Sequence, residues 1–361
     1  MAKSKTKEEL TQDAQEKPTQ EKSNKKEVDI LDVARKSIEK KYGTNIMSRL
    51  GDHADVHVDT ISTGCLSLDA ATGVGGLARG RIYEIVGIES SGKTTLAIST
   101  ALEALRRGLK VLYIDAEHAL DPSLIKQMGT NMGVSEDLIN SIELVQAFTG
   151  DDNLDIAAEL MSTGALDVVV IDSVASLLPK AMEEGDIGDN YIGQLSRLMS
   201  KACSKLTPIV NRNNTLLIFI NQFRTDIHKY GYKHVSTGGM SLPYYATGRI
   251  KVEGGDTKAS RILNSDGVVI GHTNEFTVIK NKLKAPHREA RANLLYGIGY
   301  DFVAEVARLS VDLGLVNQTG QWYEVDGRKV QGMKSLEDIF REDVTLYEDT
   351  RAKVKAILGL K

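Results

Sequence analysis

The spacing of apolar residues changes character several times along the chain. Residues 1–27 alternate lysines with acids and carry almost nothing apolar beyond Met1, Ala2, Leu10 and Ala14. Such a segment buries too little surface to offset the entropy of ordering it, so it is expected to be a disordered charged extension. From Val28 the period becomes helical: Val28, Leu31, Ala34, Ile38 and Tyr42 fall on one stripe, and Gly43 supplies a stop. That stripe needs a partner, either in this chain or in a neighbouring subunit. Further on, strand and helix patterns alternate. Arg81–Val86, Lys110–Asp115, Ser141–Val145, Asp167–Ile171 and Thr215–Ile220 read as strands. Gly92–Arg107, closed by Gly108, Asp151–Thr163 and Ile192–Asn211 read as helices. This alternation predicts βαβ units around a mostly parallel sheet covered on both faces. After Gly254, Glu275–Lys280 and Ala290–Leu295 are strand-like, and helices at Asp301–Leu313 and Ser335–Phe340 suggest a small α+β domain.

Composition narrows the classes without choosing one. A length of 361 residues suggests two or three domains, and 41% apolar with 26% charged residues is ordinary for a soluble globular chain. Against 45 Lys+Arg stand 49 Asp+Glu, so any contact with DNA has to come from local patches and not from the global field. Cys65 and Cys203 show no disulfide framework or metal-ligand spacing and read as small buried residues. The longest apolar runs, 167–171 and 216–220, are strand-length, so no membrane span is expected. MAKSKTKEEL reads as neither a signal nor a transit peptide, and the expected compartment is the cytoplasm.

The strongest chemical signal is Gly87-Ile-Glu-Ser-Ser-Gly92-Lys93-Thr94, a G-x-x-x-x-G-K-[ST] pattern between a predicted strand and a predicted helix. The glycines let backbone N–H groups turn inward around a phosphate chain, and the following helix adds its N-terminal dipole. Lys93 can reach the outer phosphates, and the Thr94 hydroxyl can ligate Mg²⁺. Asp172 closes the run 167–171 and suits a metal-orienting acid. Glu117, two residues after the strand ending at Asp115, is either a group that polarises the attacking water or a capping or surface acid. Other patterns fail in context. Gly73-Val-Gly75-Gly-Leu-Ala78 precedes a strand, not a helix, and His53 and His57 have no third ligand nearby. The guanine-reading N-K-x-D is missing, because Asn281-Lys282 is followed by Leu283-Lys284. ATP is therefore favoured over GTP.

Phe223–Ser241 interleaves Arg224, His228, Lys229, Lys233 and His234 with Phe223, Tyr230 and Tyr232, in a chain that is only 5% aromatic. Gly231, Gly238 and Gly239 make it pliable. The mixture suits phosphate contact with base stacking, and an active-site lid is the alternative. The shorter loop Glu183–Ile192 is acidic, and composition would not mark it as a DNA site.

From about Val28 to Leu360 the chain resembles the bacterial RecA recombinase family. The resemblance rests on Ile61–Asp69, Glu89–Thr95, Tyr113–Pro122, Ile171–Ala175 and Phe219–Gln222 together. It implies a RecA-type P-loop ATPase core at 61–296 with DNA loops at 183–193 and 223–241. An N-terminal polymerisation helix and strand would occupy 28–60, and a small C-terminal domain 297–361. The implied function is a DNA-dependent ATPase that coats single-stranded DNA as a helical filament of its own copies, pairs it with homologous duplex and exchanges strands. A co-protease platform and, less compatible with the N-terminal helix, a hexameric helicase are the other readings.

Carried over position by position, the resemblance gives Gly87, Glu89, Ser90, Ser91, Gly92, Lys93, Thr94 and Thr95 to ATP, with Asp121 and Tyr296 against the base. Mg²⁺ would be held by Thr94 and, through water, by Asp172. Glu117 resembles the catalytic glutamate and Gln222 the residue that senses the γ-phosphate. Lys280 and Lys282 look like a pair serving the adjacent subunit's nucleotide, so the site would be complete only in a filament. Ile192 and Ile227 match wedges between nucleotide triplets. Gly193, Gly238 and Gly239 match backbone phosphate contacts, and Arg197 and Arg224 match phosphate-contacting side chains. Four features depart from the family: Leu124 in place of its base-stacking tyrosine, a long loop one residue shorter between Thr225 and Thr237, Pro243 in place of a common lysine, and an end at Ile-Leu-Gly-Leu-Lys361 without an acidic tail. They imply altered nucleotide affinity, weaker autoinhibition of duplex binding and a divergent, phage- or plasmid-borne member.

Overall fold

A computed structural model describes residues 20–43, 47, 51, 58–184, 193–226, 233–255 and 257–360. The chain divides into two units, Met1–His57 and Val58–Lys361. Within the first, one helix runs Gln20–Tyr42, so it starts inside the segment expected to be disordered and not at Val28. Lys, Glu and Gln are good helix formers, and they extend the helix even where no apolar stripe marks it. Leu31 and Tyr42 of the stripe are exposed.

The second unit is built on one large sheet. Across it the strands run Gly299–Tyr300, Glu289–Leu295, Val269–Asn281, Gly248–Gly254, Ile82–Gly87, Leu216–Asp226, Val168–Asp172, Val111–Asp115 and Glu143–Val145. From Gly248–Gly254 to Glu143–Val145 every pairing is parallel. The remaining three strands add on antiparallel. The run Val168–Asp172 is buried at every residue, as expected for a β-branched strand covered on both faces. Tyr83, Ile85, Tyr113 and Val170 pack one face against Leu96, Leu102 and Met128 of helices Lys93–Arg106 and Pro122–Asn131. Ile82, Leu112, Val169 and Phe219 pack the other against Leu154, Met161, Met199 and Leu206 of helices Gly150–Ser162 and Gln194–Arg212. Both cysteines are free and buried.

Beyond the sheet, helix Phe302–Asp312, a three-stranded antiparallel sheet and helices Met333–Glu342 and Val344–Leu358 enclose a small core of Ala307, Val316, Tyr323, Leu336 and Phe340. This layer is tied to the main sheet by Glu305. Its fully buried carboxylate accepts the N–H groups of Leu66 (2.9 Å) and Ser67 (3.0 Å) and the Ser67 hydroxyl (2.6 Å), closing the start of helix Leu66–Thr72.

Several elements carry no strong period and were not expected, among them helix Pro122–Asn131 and strand Gly248–Gly254. A further difference lies at Phe223–Ser241. Strand Leu216–Asp226 extends six residues past Ile220, and Lys233–Ser236 returns antiparallel along it. This stretch is therefore the stem of a β-ribbon and not a pliable loop from end to end, because ladder hydrogen bonds form wherever two extended segments return side by side.

Candidate functional site

The strand register brings the chemistry to one edge. In the parallel half, Gly87 lies opposite Gln222 and Asp115 opposite Asp172, so the carboxyl ends of four strands meet there. Ligands bind at such an edge because the loops leaving it converge. The turn Gly87–Gly92 then feeds helix Lys93–Arg106, with Gly92 as its N-cap at φ 91°. A Cβ at Gly92 would stand 2.7 Å from Asn274 Nδ2, so this turn accepts only glycine. Asn274, fully buried, donates to the Ser91 carbonyl at 2.7 Å. A peptide unit is planar, so fixing that carbonyl also fixes the direction of the Gly92 N–H on its opposite side.

Lys93 is buried, and its ammonium donates to the Ile88 carbonyl at 2.5 Å. Burial lowers its pKa, opposed by the charges of Asp172, Glu117 and Glu89. Asp172 is also buried, and its Oδ2 accepts from Thr94 Oγ1 (2.9 Å) and from the Tyr113 hydroxyl (2.7 Å). Desolvation raises the Asp172 pKa, while those two hydrogen bonds oppose the rise. The Thr94 hydroxyl and the Asp172 carboxylate are hard oxygen donors. They suit Mg²⁺, which takes one or two protein oxygens and fills its octahedron with water and phosphate oxygens.

Glu117 is exposed at the same edge. Its Oε1 accepts from Ser173 Oγ at 2.5 Å and from Gln222 Nε2 at 3.5 Å. The loop that carries it is shaped by buried Asp115, whose carboxylate accepts the N–H groups of Ala119 (3.3 Å) and Leu120 (3.1 Å) and the Gln146 amide (2.9 Å). Of the two readings of Glu117 taken from the residues alone, this geometry disfavours the helix cap. Asp121 holds that position for helix Pro122–Asn131, accepting from Ser123 N at 2.8 Å, and hydrogen bonding from the Ser123 side chain and then its backbone lowers its pKa. The turn at Tyr296–Ile298 leans on the same helix through Asn131, which donates to the Ile298 carbonyl at 3.2 Å. Tyr296 is exposed, and its hydroxyl lies 3.2 Å from His272 Nδ1.

Lys280 and Lys282 lie at the end of strand Val269–Asn281 and just beyond it. Lys280 Nζ donates to the carbonyls of Pro243 (2.6 Å) and Tyr244 (3.0 Å), and Lys282 Nζ to those of Tyr244 (3.1 Å) and Tyr245 (3.3 Å). Within one subunit the pair therefore caps helix Ser241–Tyr245 and does not join the cluster around Glu117.

The two expected DNA segments converge at their described ends. Gly193 caps helix Gln194–Arg212 at φ 77° with open space around it, and Arg197 one turn on is exposed. Gly238 and Gly239, at φ 82° and 79°, press on that helix: a Cβ on Gly238 would stand 3.1 Å from Met199 Cγ, and one on Gly239 2.7 Å from Ser196 Oγ. Arg224 pairs with Val235 on the ribbon stem. Ile192 and Ile227 lie outside the described residues.

Sequence reasoning missed Tyr113, Asp115, Ser173 and Asn274. Tyr113 and Asp115 read as ordinary strand residues, and Ser173 carries no signal beyond following Asp172. Asn274 sits on a strand whose neighbours no local pattern predicts.

The RecA N-terminal domain family matches residues 29–301. Protein RecA of Halalkalibacterium halodurans is 38% identical over 332 residues, covering 91% of this chain and 92% of that protein. Protein RecA of Desulforapulum autotrophicum is 40% identical with the same coverage of 91% and 92%. A crystal structure of the RadB recombinase aligns with a TM-score of 0.50 over 67% of this chain and 98% of that one; at 24% identity this likeness speaks to the fold.

Proposed function

Because this chain belongs to the bacterial RecA family, we propose that it is a DNA-dependent ATPase that assembles on single-stranded DNA and carries out homologous pairing and strand exchange. The observation that carries this reading is the meeting of Glu117 and Gln222 beside the phosphate turn, with Gln222 lying on the strand that becomes the DNA ribbon.

ATP lies with its phosphates against the N–H groups of Gly87–Thr94, and Lys93 leaves the Ile88 carbonyl to meet the outer phosphates. Thr94 and, through water, Asp172 would hold Mg²⁺, which when bound would neutralise charge on the phosphate oxygens. Glu117 orients and polarises the attacking water, with Ser173 fixing its rotamer. A γ-phosphate competes with Glu117 for the Gln222 amide, and the movement passes into the ribbon. Asp121 and Tyr296 flank the base. Lys280 and Lys282 exchange their carbonyl partners for the γ-phosphate of an adjacent subunit, which makes turnover depend on the filament. Gly193, Arg197, Arg224, Gly238 and Gly239, with Ile192 and Ile227, contact DNA. The proposed site of action is the cytoplasm; no helix among the described residues is long and apolar enough to cross a membrane.

Two measurements test this. ATP turnover should be low alone and rise sharply with single-stranded DNA, with Lys93→Ala losing at least about a hundredfold. Electron microscopy with single-stranded DNA and a non-hydrolysable ATP analogue should show DNA-coating helical filaments. Closed rings that leave the DNA bare, or full turnover in Lys93→Ala, would overturn the assignment.

A further inference from the structure

Glu84 is out of place in its surroundings. On strand Ile82–Gly87 the pleat puts Ile82, Glu84 and Val86 on one face, and Ile82 lies in the apolar layer with Leu217, Phe219 and Met199. A third apolar side chain belongs at position 84, yet a carboxylate with no exposed surface sits there. A buried charge is tolerated only with charged and hydrogen-bonding partners, and Glu84 has both. Asn221 Nδ2 donates to Oε1 at 2.8 Å, and Arg249 Nε pairs with Oε2 from the directly opposite position of the next strand.

Both partners are committed elsewhere as well. Asn221 Nδ2 also donates to the Thr237 carbonyl (3.0 Å), and its Oδ1 accepts the Gln222 N–H (2.8 Å). Arg249 Nη2 donates to Ser236 Oγ at 2.8 Å. Glu84 thus lies beneath both legs of the ribbon, the outgoing one at Asn221–Gln222 and the returning one at Ser236–Thr237. On its far side, Arg249 stands opposite Lys280 across the next pairing. Burial lowers the Lys280 pKa, the Lys282 and Arg249 charges lower it further, and Glu84 opposes them.

We propose that Glu84 is a positioning residue that couples two nucleotide sites in a filament. Through Asn221 it holds Gln222 and the ribbon stem at the subunit's own site, and through its ion pair it fixes Arg249, the residue directly opposite Lys280, which serves the neighbour's. It rests on the roles proposed for Gln222 and Lys280. Exchanging a buried ion pair for apolar residues of similar volume is often neutral for stability, so the contribution of this pair is geometric.

The test compares ATP turnover with and without single-stranded DNA, alongside ATP affinity and melting temperature without DNA, in the full chain. The double variant Glu84→Met with Arg249→Met should melt near the wild type and bind ATP within about threefold of it, while DNA stimulation falls at least about tenfold. Ser236→Ala cuts only the link from Arg249 to the returning leg, and should lower stimulation by about threefold with ATP affinity unchanged. Wild-type stimulation in the folded double variant overturns the proposal. Should the double variant not fold, Ser236→Ala and Asn221→Ser decide, and wild-type stimulation in both overturns it. Lys280→Ala separates the layers: lost stimulation there with none lost at Glu84 rejects the coupling alone, whereas full stimulation in Lys280→Ala rejects the role on which it rests.

Discussion

Gly92→Ala offers a sharp test of the phosphate turn. The new methyl would sit 2.7 Å from Asn274 Nδ2 and 3.2 Å from Leu294 Cδ2, at a φ of 91°. Asn274 cannot swing aside without giving up its bond to the Ser91 carbonyl, and it is fully buried. A left-handed conformation costs an alanine about 1–2 kcal/mol, and forcing a carbon into a packed site adds about 1–3 kcal/mol. The turn can cradle a phosphate chain only in this conformation, so a variant that escapes the clash by moving outward has to recover the cost on binding ATP. The sum of about 2–5 kcal/mol corresponds to roughly a 30-fold to few-thousand-fold loss of ATP affinity. Equilibrium binding of a fluorescent ATP analogue measures it, and thermal melting without nucleotide should change little. Combining Gly92→Ala with Asn274→Ala removes the blocking amide, so the pair should show a favourable coupling of at least about 1 kcal/mol. An affinity within threefold of the wild type for Gly92→Ala, or strict additivity in the double variant, would refute the packing argument.

Lys280→Ala and Lys282→Ala should each lose DNA-stimulated hydrolysis at least about tenfold while the isolated subunit still binds ATP; retained stimulation would show that the pair only caps helix Ser241–Tyr245. Arg224→Ala should weaken single-stranded DNA binding and reduce the slope of log affinity against log salt by about 1. Titrations across a salt series check this, and an unaltered slope makes Arg224 structural. Asp69 is fully buried, and desolvation raises its pKa from 3.8 to about 7, against hydrogen bonds from Ser62 (2.5 Å) and from Thr63 N (2.8 Å) and Oγ1 (2.7 Å). The folded state therefore holds this proton more tightly than the unfolded state. Its contribution is full below the unfolded pKa and is lost as pH rises through the folded value. The stability difference between wild type and Asp69→Asn, read from urea midpoints at pH 5 and pH 8, should shift against the wild type at the higher pH by up to about 3 kcal/mol. A pH-independent difference would show that the hydrogen bonds outweigh burial.

What could be read without coordinates was local. The phosphate turn needs only its glycines, lysine and threonine between a strand pattern and a helix pattern, and Gly87–Thr94 lies in that setting. The β-branched run ending at Asp172 announced a buried strand and its terminal acid in the same way. Periodicity reports how neighbouring residues share a face, so it identifies elements and their type. It carries no term for which strands become adjacent. Glu117 and Gln222 stand 105 positions apart and meet because the strands Ile82–Gly87, Leu216–Asp226, Val168–Asp172 and Val111–Asp115 assemble in that order.

The same limit explains the errors. Gly238 and Gly239 suggested pliability, yet they press against Met199 and Ser196 of a helix no local signal connects to them. Glu84 lies within the strand read at Arg81–Val86, and only the flanking strands supply the Asn221 and Arg249 that make its burial tolerable. The chain by itself determined the elements, the nucleotide turn and the α/β class, because these depend on residues within a few positions of one another. The tertiary structure alone decided which side chains share the carboxyl edge of the sheet and which buried charges are paired. Those outcomes follow from long-range strand order and from the cost of leaving polar groups unmatched away from water.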